Sequence, residues 1–179
     1  MITDYECRPL ALTSEIPEQA REWRNNEKVR QWCRQDGLIT KAQHDDWLEK
    51  IHSDPSVQMY GIVEAFKDAP SDIKPVGVCG LTSIDMKNSK AEFSLYIAPE
   101  HRGKGYGKLG LTLLLSHGFK GLGLNRIWGE VFDGNPAMVI FKELEFVREG
   151  LQRQTYWKGG KYIDTHIISI LREEFNGDA

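Results

Sequence analysis

Arg102-Gly-Lys-Gly-Tyr-Gly107, running on through Lys108-Leu-Gly110 into an apolar stretch, decides how this chain folds. It follows Ala91-Glu-Phe-Ser-Leu-Tyr-Ile97, a β-branched and aromatic run that reads as a strand closed by Pro99. After the glycines an apolar helix is predicted over 108–122. A strand entering a glycine-rich turn and leaving it as a helix is a ready anion site. The unpaired N–H groups of the first helical turn face the ligand, and the helix dipole favours negative charge there. Glycines let the backbone approach phosphate oxygens closely. Arg102, Lys104 and Lys108 add positive charge beside those donors. A diphosphate is the ligand that such a loop suits; a bare strand-to-helix turn is the alternative.

Two common diphosphate motifs do not fit. The triphosphate-binding pattern GxxxxGK[ST] fails because Lys108 is followed by Leu109. Gly105-Tyr-Gly-Lys-Leu-Gly110 has the spacing GxGxxG of dinucleotide sites. That motif belongs near the start of a βαβ unit with an acidic residue about 20 positions on. Here it falls mid-chain after hairpins, and Glu130 is poorly placed to hold a ribose.

Outward from the loop, the chain alternates between both periodicities. Tyr5 to Pro9 reads as a short opening strand. Ser14 and Pro17 signal a helix start, with Ala20, Trp23 and Trp32 at roughly helical spacing. Thr40-Lys-Ala-Gln43 is a capping box opening a helix to about His52. Strands are predicted over 57–66 and 75–84, joined by a polar hairpin loop at 67–74. Beyond the loop come a strand at 125–131, a helix at 136–144, and two strands within 147–171 about the turn Lys158-Gly-Gly160. The order is mixed α and β, with antiparallel hairpins first and a strand–helix–strand–helix unit after them. No repeat or linker interrupts it, so the reading is a single domain over 1–179.

Composition narrows the function. With 23 basic and 26 acidic residues the net charge is −3, which disfavours general nucleic-acid binding. No apolar run reaches the roughly 18 to 20 residues of a membrane span, and the N-terminus lacks a secretory pattern. The cysteines are three, Cys7, Cys33 and Cys79, with no CxxC pair. That usage suits a reducing compartment, so a cytoplasmic protein is expected. No histidine or cysteine spacing implies a metal. Ser83 and Ser94 lack a nucleophile signature, so no covalent acyl-enzyme is expected.

The residues quoted above resemble the GNAT acyltransferase superfamily. Its pyrophosphate loop reads Arg/Gln-x-x-Gly-x-Gly/Ala, and Arg102 to Gly107 match each fixed position. The strand with Pro99 is similar to the family's fourth strand, which splays from its neighbour. Asp133-Gly-Asn-Pro-Ala137, with Phe141 and Glu145-Phe146, resembles the family's Asn-x-x-Ala…Tyr…Gly-Phe segment. Arg148-Glu-Gly150 and Gly160-Lys-Tyr-Ile-Asp164 resemble the branch of ribosomal-protein N-terminal and amino-sugar acetyltransferases. Trp23-Arg-Asn25, Val29-Arg30 and His44-Asp-Asp-Trp47 are similar to members acting on nucleotide sugars.

The resemblance implies an α/β fold with a central, mostly antiparallel sheet flanked by helices, and acetyl-CoA as co-substrate without a metal. It assigns the cofactor to the backbones of Tyr96 and Ile97, to Arg102, Gly103, Lys104, Gly105, Tyr106, Gly107 and Lys108, and to Asn135 and Phe141. The implied reaction is direct attack of a primary amine on the thioester. The acceptor is a small molecule, preferably a nucleotide-linked amino sugar; a protein N-terminus is the alternative, and so is a silent CoA-binding sensor. A homodimer through the late strands is implied by resemblance alone.

Transfer needs a neutral amine, a base and a proton for the leaving sulfur. Glu92 is read either as the base or as a solvated residue on the polar face of its strand. His44 is a second candidate, more in keeping with a polar contact inside a helix pair. The family's Tyr, which protonates the sulfur, falls at Phe141, which has no proton to give. Tyr156 is taken as the donor, with Tyr106, Tyr162 and water as alternatives. Trp23, Trp32 and Trp47 fall where the family builds its acceptor lid, and core packing is the favoured reading for them.

Overall fold

The computed structural model describes residues 2–9, 16–66 and 69–177. Seven strands form one sheet in the order β1-β2-β3-β4-β5-β7-β6. They are β1 (Ile2–Pro9), β2 (Gln58–Phe66), β3 (Ala69–Asp85), β4 (Lys90–Ile97), β5 (Arg126–Phe132), β6 (Val147–Lys158) and β7 (Lys161–Leu171). Every neighbouring pair is antiparallel except β4 and β5. The sheet is thus mixed and mostly antiparallel, with helices on both faces, as expected.

One face is covered by α4 (Tyr106–Ser116) and α5 (Met138–Glu143). Leu111, Leu114 and Leu115 of α4 recur three and four residues apart, which puts them on one helix face. They are buried against Ile62, Leu81, Ile127 and Ile168 of the sheet. Each such leucine contributes roughly 1.5–3 kcal/mol by leaving water. Gly110 permits the approach, because a Cβ there would meet Ile62 Cδ1 at 2.3 Å. The other face carries α1 (Ile16–Asn25), α2 (Glu27–Arg30) and α3 (Lys41–Ser53). Ile16, Ala20 and Trp23 of α1 pack there on Val63 and Val78.

Several boundaries differ from the sequence reading. The first helix breaks at Asn26, whose side chain accepts from Lys28 N and caps α2, so Trp32 lies beyond both helices. Ser14 lies outside the described residues. The predicted loop at 67–74 is largely strand, with Ile73 and Lys74 paired to Ala65 and Glu64. The helix after the glycines starts at Tyr106, not Lys108, and ends in a π-helical turn (His117–Gly121). The capping box holds: Thr40 Oγ1 accepts from Gln43 N at 3.2 Å, and Gln43 Oε1 accepts from Thr40 N at 3.0 Å. Among the described residues no helix is long and apolar enough to cross a membrane.

Candidate active site

The parallel pairing of β4 and β5 is short. It runs from Lys90 opposite Arg126 to Glu92 opposite Trp128, and beyond it the strands part. This fork opens the centre of the sheet, leaving backbone groups of β4 without a strand partner on that side. Ala98 N donates to Val76 O of β3 at 2.9 Å. Backbone direction alternates along a strand, so the Tyr96 backbone turns toward β3 and that of Ile97 into the gap. Of the expected pair, Ile97 thus turns its backbone to the gap and Tyr96 turns its own to β3. Leu95 shares the orientation of Ile97, and strand alternation alone would have found it.

Below the fork, Pro99–His101 forms a 3-10 turn and leads into the glycine loop. Gly103 (φ 76°) and Gly105 (φ 90°) adopt left-handed backbones, and Gly105 is the N-cap of α4. A Cβ at either would meet nothing of the protein within 4 Å. The cradle is open where a phosphate would lie, and the first amides of α4 stand at its base. Gly107 serves packing instead, since a Cβ there would come within 2.9 Å of Ile140 Cδ1.

The basic side chains are less available than the sequence suggests. Arg102 Nη1 donates to Lys28 O at 2.6 Å, tying the loop to α2. Lys108 Nζ pairs with Glu143 Oε2 at 3.0 Å, bridging α4 and α5. Lys104 is exposed on the loop. Tyr106 points the other way, its hydroxyl donating to the buried Glu64 carboxylate of β2.

Asn135 and Phe141 have partners within the protein. Asn135 Oδ1 accepts from Ala137 N at 2.9 Å, so that oxygen caps the approach to α5. Phe141 is a core residue, with its ring 5.2 Å from Phe93 and 5.6 Å from Phe146.

On the helix face, at the fork, lie Glu92, Glu130 and Tyr156. Tyr156 Oη donates to Glu130 Oε2 at 3.0 Å, and Thr165 Oγ1 donates to Glu130 Oε1 at 2.7 Å. Burial, then the bond to Glu130, raises the Tyr156 pKa above the ordinary tyrosine value. The guanidinium of Arg34 reaches in from the α2–α3 connection, bonding Glu92 and lying 3.3 Å from Glu130. Glu130 and Arg34 were missed as site residues. Glu130 was legible from its alternation with Trp128, whereas Arg34 carries no local signal. His44 Nε2 is 2.7 Å from Pro17 O and its ring stacks on Trp47 at 5.3 Å, which makes it a tie between α3 and α1. Burial lowers its pKa. Among the described residues no group of acidic, histidine and cysteine side chains could hold a metal.

Beside the fork, between α1, α3 and the sheet, is a cavity of about 530 Å³. Arg24, Lys50 and His44 line it, with Trp47, Tyr96 and the single carboxylate Asp54. Arg24 lies over the Tyr96 ring, 5.5 Å from its centroid. Trp47 and Tyr96 are half-buried, whereas Trp23 is core.

A forked sheet feeds a glycine cradle at a helix N-terminus, with a cavity alongside, an arrangement suited to a diphosphate-bearing ligand and a second molecule. The comparisons with known proteins agree. The family model described as Acetyltransferase (GNAT) domain matches residues 7–147, and the chain belongs to that family. GNAT domains are N-acetyltransferases that draw on acetyl-CoA. An uncharacterized N-acetyltransferase of Bacillus licheniformis is 35% identical over 103 residues, covering 57% of this chain and 58% of that one. The spermidine N(1)-acetyltransferase of Vibrio cholerae is 33% identical over 101 residues, covering 56% and 58%. The chain thus spans about three-fifths of the length of these curated relatives. In fold, it is similar to the spermidine N-acetyltransferase from Vibrio cholerae solved in complex with CoA and spermine. There the TM-score is 0.87 at 24% identity, over 97% of this chain and 98% of that one.

Proposed function

We propose that this chain acetylates the primary amine of a nucleotide-linked amino sugar, with acetyl-CoA as donor. The observation that carries the acceptor is the charge of the cavity. Arg24 and Lys50 outnumber Asp54, and Trp47 and Tyr96 offer ring faces. Cations with aromatic surface suit a phosphate-bearing, ring-containing molecule. A polyamine would need the opposite charge, although relatives named for spermidine support a primary amine as the acceptor class. The segments Trp23-Arg-Asn25 on α1 and His44-Asp-Asp-Trp47 on α3, similar to members acting on nucleotide sugars, support the same choice.

Acetyl-CoA supplies an acyl thioester, and the residues present fit it. The amides at Gly103 to Gly107 and the α4 N-terminus would receive the diphosphate, while the Ile97 and Leu95 backbones would line the gap for the pantetheine arm. Glu92 stands at the fork to take a proton from the amine, directly or through water. Tyr156 keeps its proton through the physiological range and can release it from Oη to the leaving sulfur. Holding both reactants at the fork supplies much of the acceleration by proximity.

Thiol release from acetyl-CoA, followed with a nucleotide-linked amino sugar, spermidine and an N-terminal peptide, tests the reading. Turnover with the amino sugar is expected. Acetylation of peptide or spermidine alone would overturn the acceptor, and tight acetyl-CoA binding without turnover would point to a sensor. The loop has its own check: Gly105→Val is expected to abolish acetyl-CoA binding while circular dichroism stays native. Unchanged binding would refute the loop assignment.

A further inference from the structure

Arg34 lies at the fork between two carboxylates that the sheet holds in place. It hydrogen-bonds Glu92 Oε1, and its Nε is 3.3 Å from Glu130 Oε2. The two glutamate side chains are only 12% and 11% exposed. Like charges this close and this buried repel, so a cation between them is strongly favoured. Burial opposes the charge of Arg34, yet the hydrogen bond to Glu92 and the nearby carboxylates hold its pKa above the ordinary value.

The position of Arg34 is fixed from its backbone. Lys158, buried at the end of β6, donates from Nζ to Cys33 O at 2.5 Å, Arg30 O at 2.9 Å and Gln35 O at 3.1 Å. Three carbonyls around Arg34 are thereby pinned to the sheet. The next residue, Gln35, lines the acceptor cavity, and so do Thr82 and Ser94 beside Glu92.

We propose that Arg34 is a specificity-determining residue. By occupying the Glu92–Glu130 pair, it denies polycationic amines their cation subsite and turns the chain toward acceptors bearing anionic groups. The pair is a working cation site, since a guanidinium already fills it. Without Arg34 two carboxylates would stand unneutralised at the fork, next to the Gln35, Thr82 and Ser94 side of the cavity, and the ammonium groups of a polyamine would replace its charge. This inference rests on the acceptor reading above and extends it to a residue that touches neither the cofactor loop nor the diphosphate.

Calorimetric titration of spermidine into the full chain tests it, comparing wild type with Arg34→Gln and Arg34→Lys. Wild type is expected to bind spermidine weakly, Arg34→Gln at least roughly tenfold more tightly. Arg34→Lys is expected to fall between, because an ammonium cannot span both carboxylates as the fork of a guanidinium does. Adding Glu130→Gln to Arg34→Gln is expected to remove the gain. An acetyl-CoA titration of each variant reports an intact fold. No gain in either variant, or wild-type binding as tight as that of Arg34→Gln, would overturn the proposal. Because binding is read without turnover, failure of wild type to acetylate an amino sugar would sink the acceptor reading and leave this result standing.

Discussion

Glu145 carries a left-handed backbone, φ 62°, just past Leu144, the C-cap of α5. Phe146 N donates to Phe141 O at 2.9 Å and Glu145 N to Lys142 O at 3.1 Å, the paired bonds of a Schellman motif. The contact between the Phe141 and Phe146 rings completes it. Glycine is favoured at that position because it has no Cβ to strain. The family resemblance expects Gly here, and the geometry supplies the reason. Glu145→Gly should therefore stabilise the fold by about 1 kcal/mol, after losing the Asn176 contact to its carboxylate. A rise in melting temperature of roughly 2–4 °C is the expected reading for a domain of this size. Tyr156 is the other residue whose neighbours decide its chemistry. Burial and Glu130 hold its proton, so activity that depends on it persists up to and beyond the ordinary tyrosine pKa. Tyr156→Phe is expected to lower kcat by about a hundredfold, with KM for acetyl-CoA unchanged. An unaltered kcat would remove Tyr156 from the reaction.

Elements carry the part of the site that sequence reads least well. The glycine loop and the capping box of α3 were legible because their residues act on neighbours two to four positions away. The break at Asn26 was legible in principle, since asparagine favours an N-cap, but the aromatic spacing across it masked the signal. The loop assigned at 67–74 failed because pairing with β2 overrides its polar, turn-like composition. Arg34 and Glu130 lie far apart in the chain, and only the sheet order and the Lys158 anchor bring them together. That anchor is testable. Lys158→Met keeps the buried stem but strips three carbonyls of their shared donor. It should cost about 2–4 kcal/mol and speed amide exchange across residues 31–37 selectively. Uniform destabilisation with no local change in exchange would contradict the anchoring role.

At the scale of the whole molecule, the net charge of −3 hides a division of labour. Cationic groups gather at the acceptor cavity and the glycine loop, while the fork keeps its two carboxylates neutralised in part by Arg34. Three histidines, His44, His101 and His117, have pKa values lowered chiefly by burial. In the unfolded chain they take up protons near the ordinary histidine pKa, whereas the folded chain resists until lower pH. Their contribution to stability is therefore present above about pH 6.5 and is lost as pH falls. The midpoint of urea unfolding should drop between pH 7.5 and 5.5, and His44→Gln should flatten that slope. A slope indifferent to pH would contradict the buried, neutral state of these rings.

The central claim concerns where the two substrates lie on the sheet. A crystal structure of the chain with CoA and a nucleotide-linked amino sugar measures that. The diphosphate of CoA is expected against the amides of Gly103 to Gly107, with the acceptor's phosphates toward Arg24 and Lys50 and its amine at the fork beside Glu92. An acceptor bound outside this cavity, or CoA phosphates away from the loop, would contradict it.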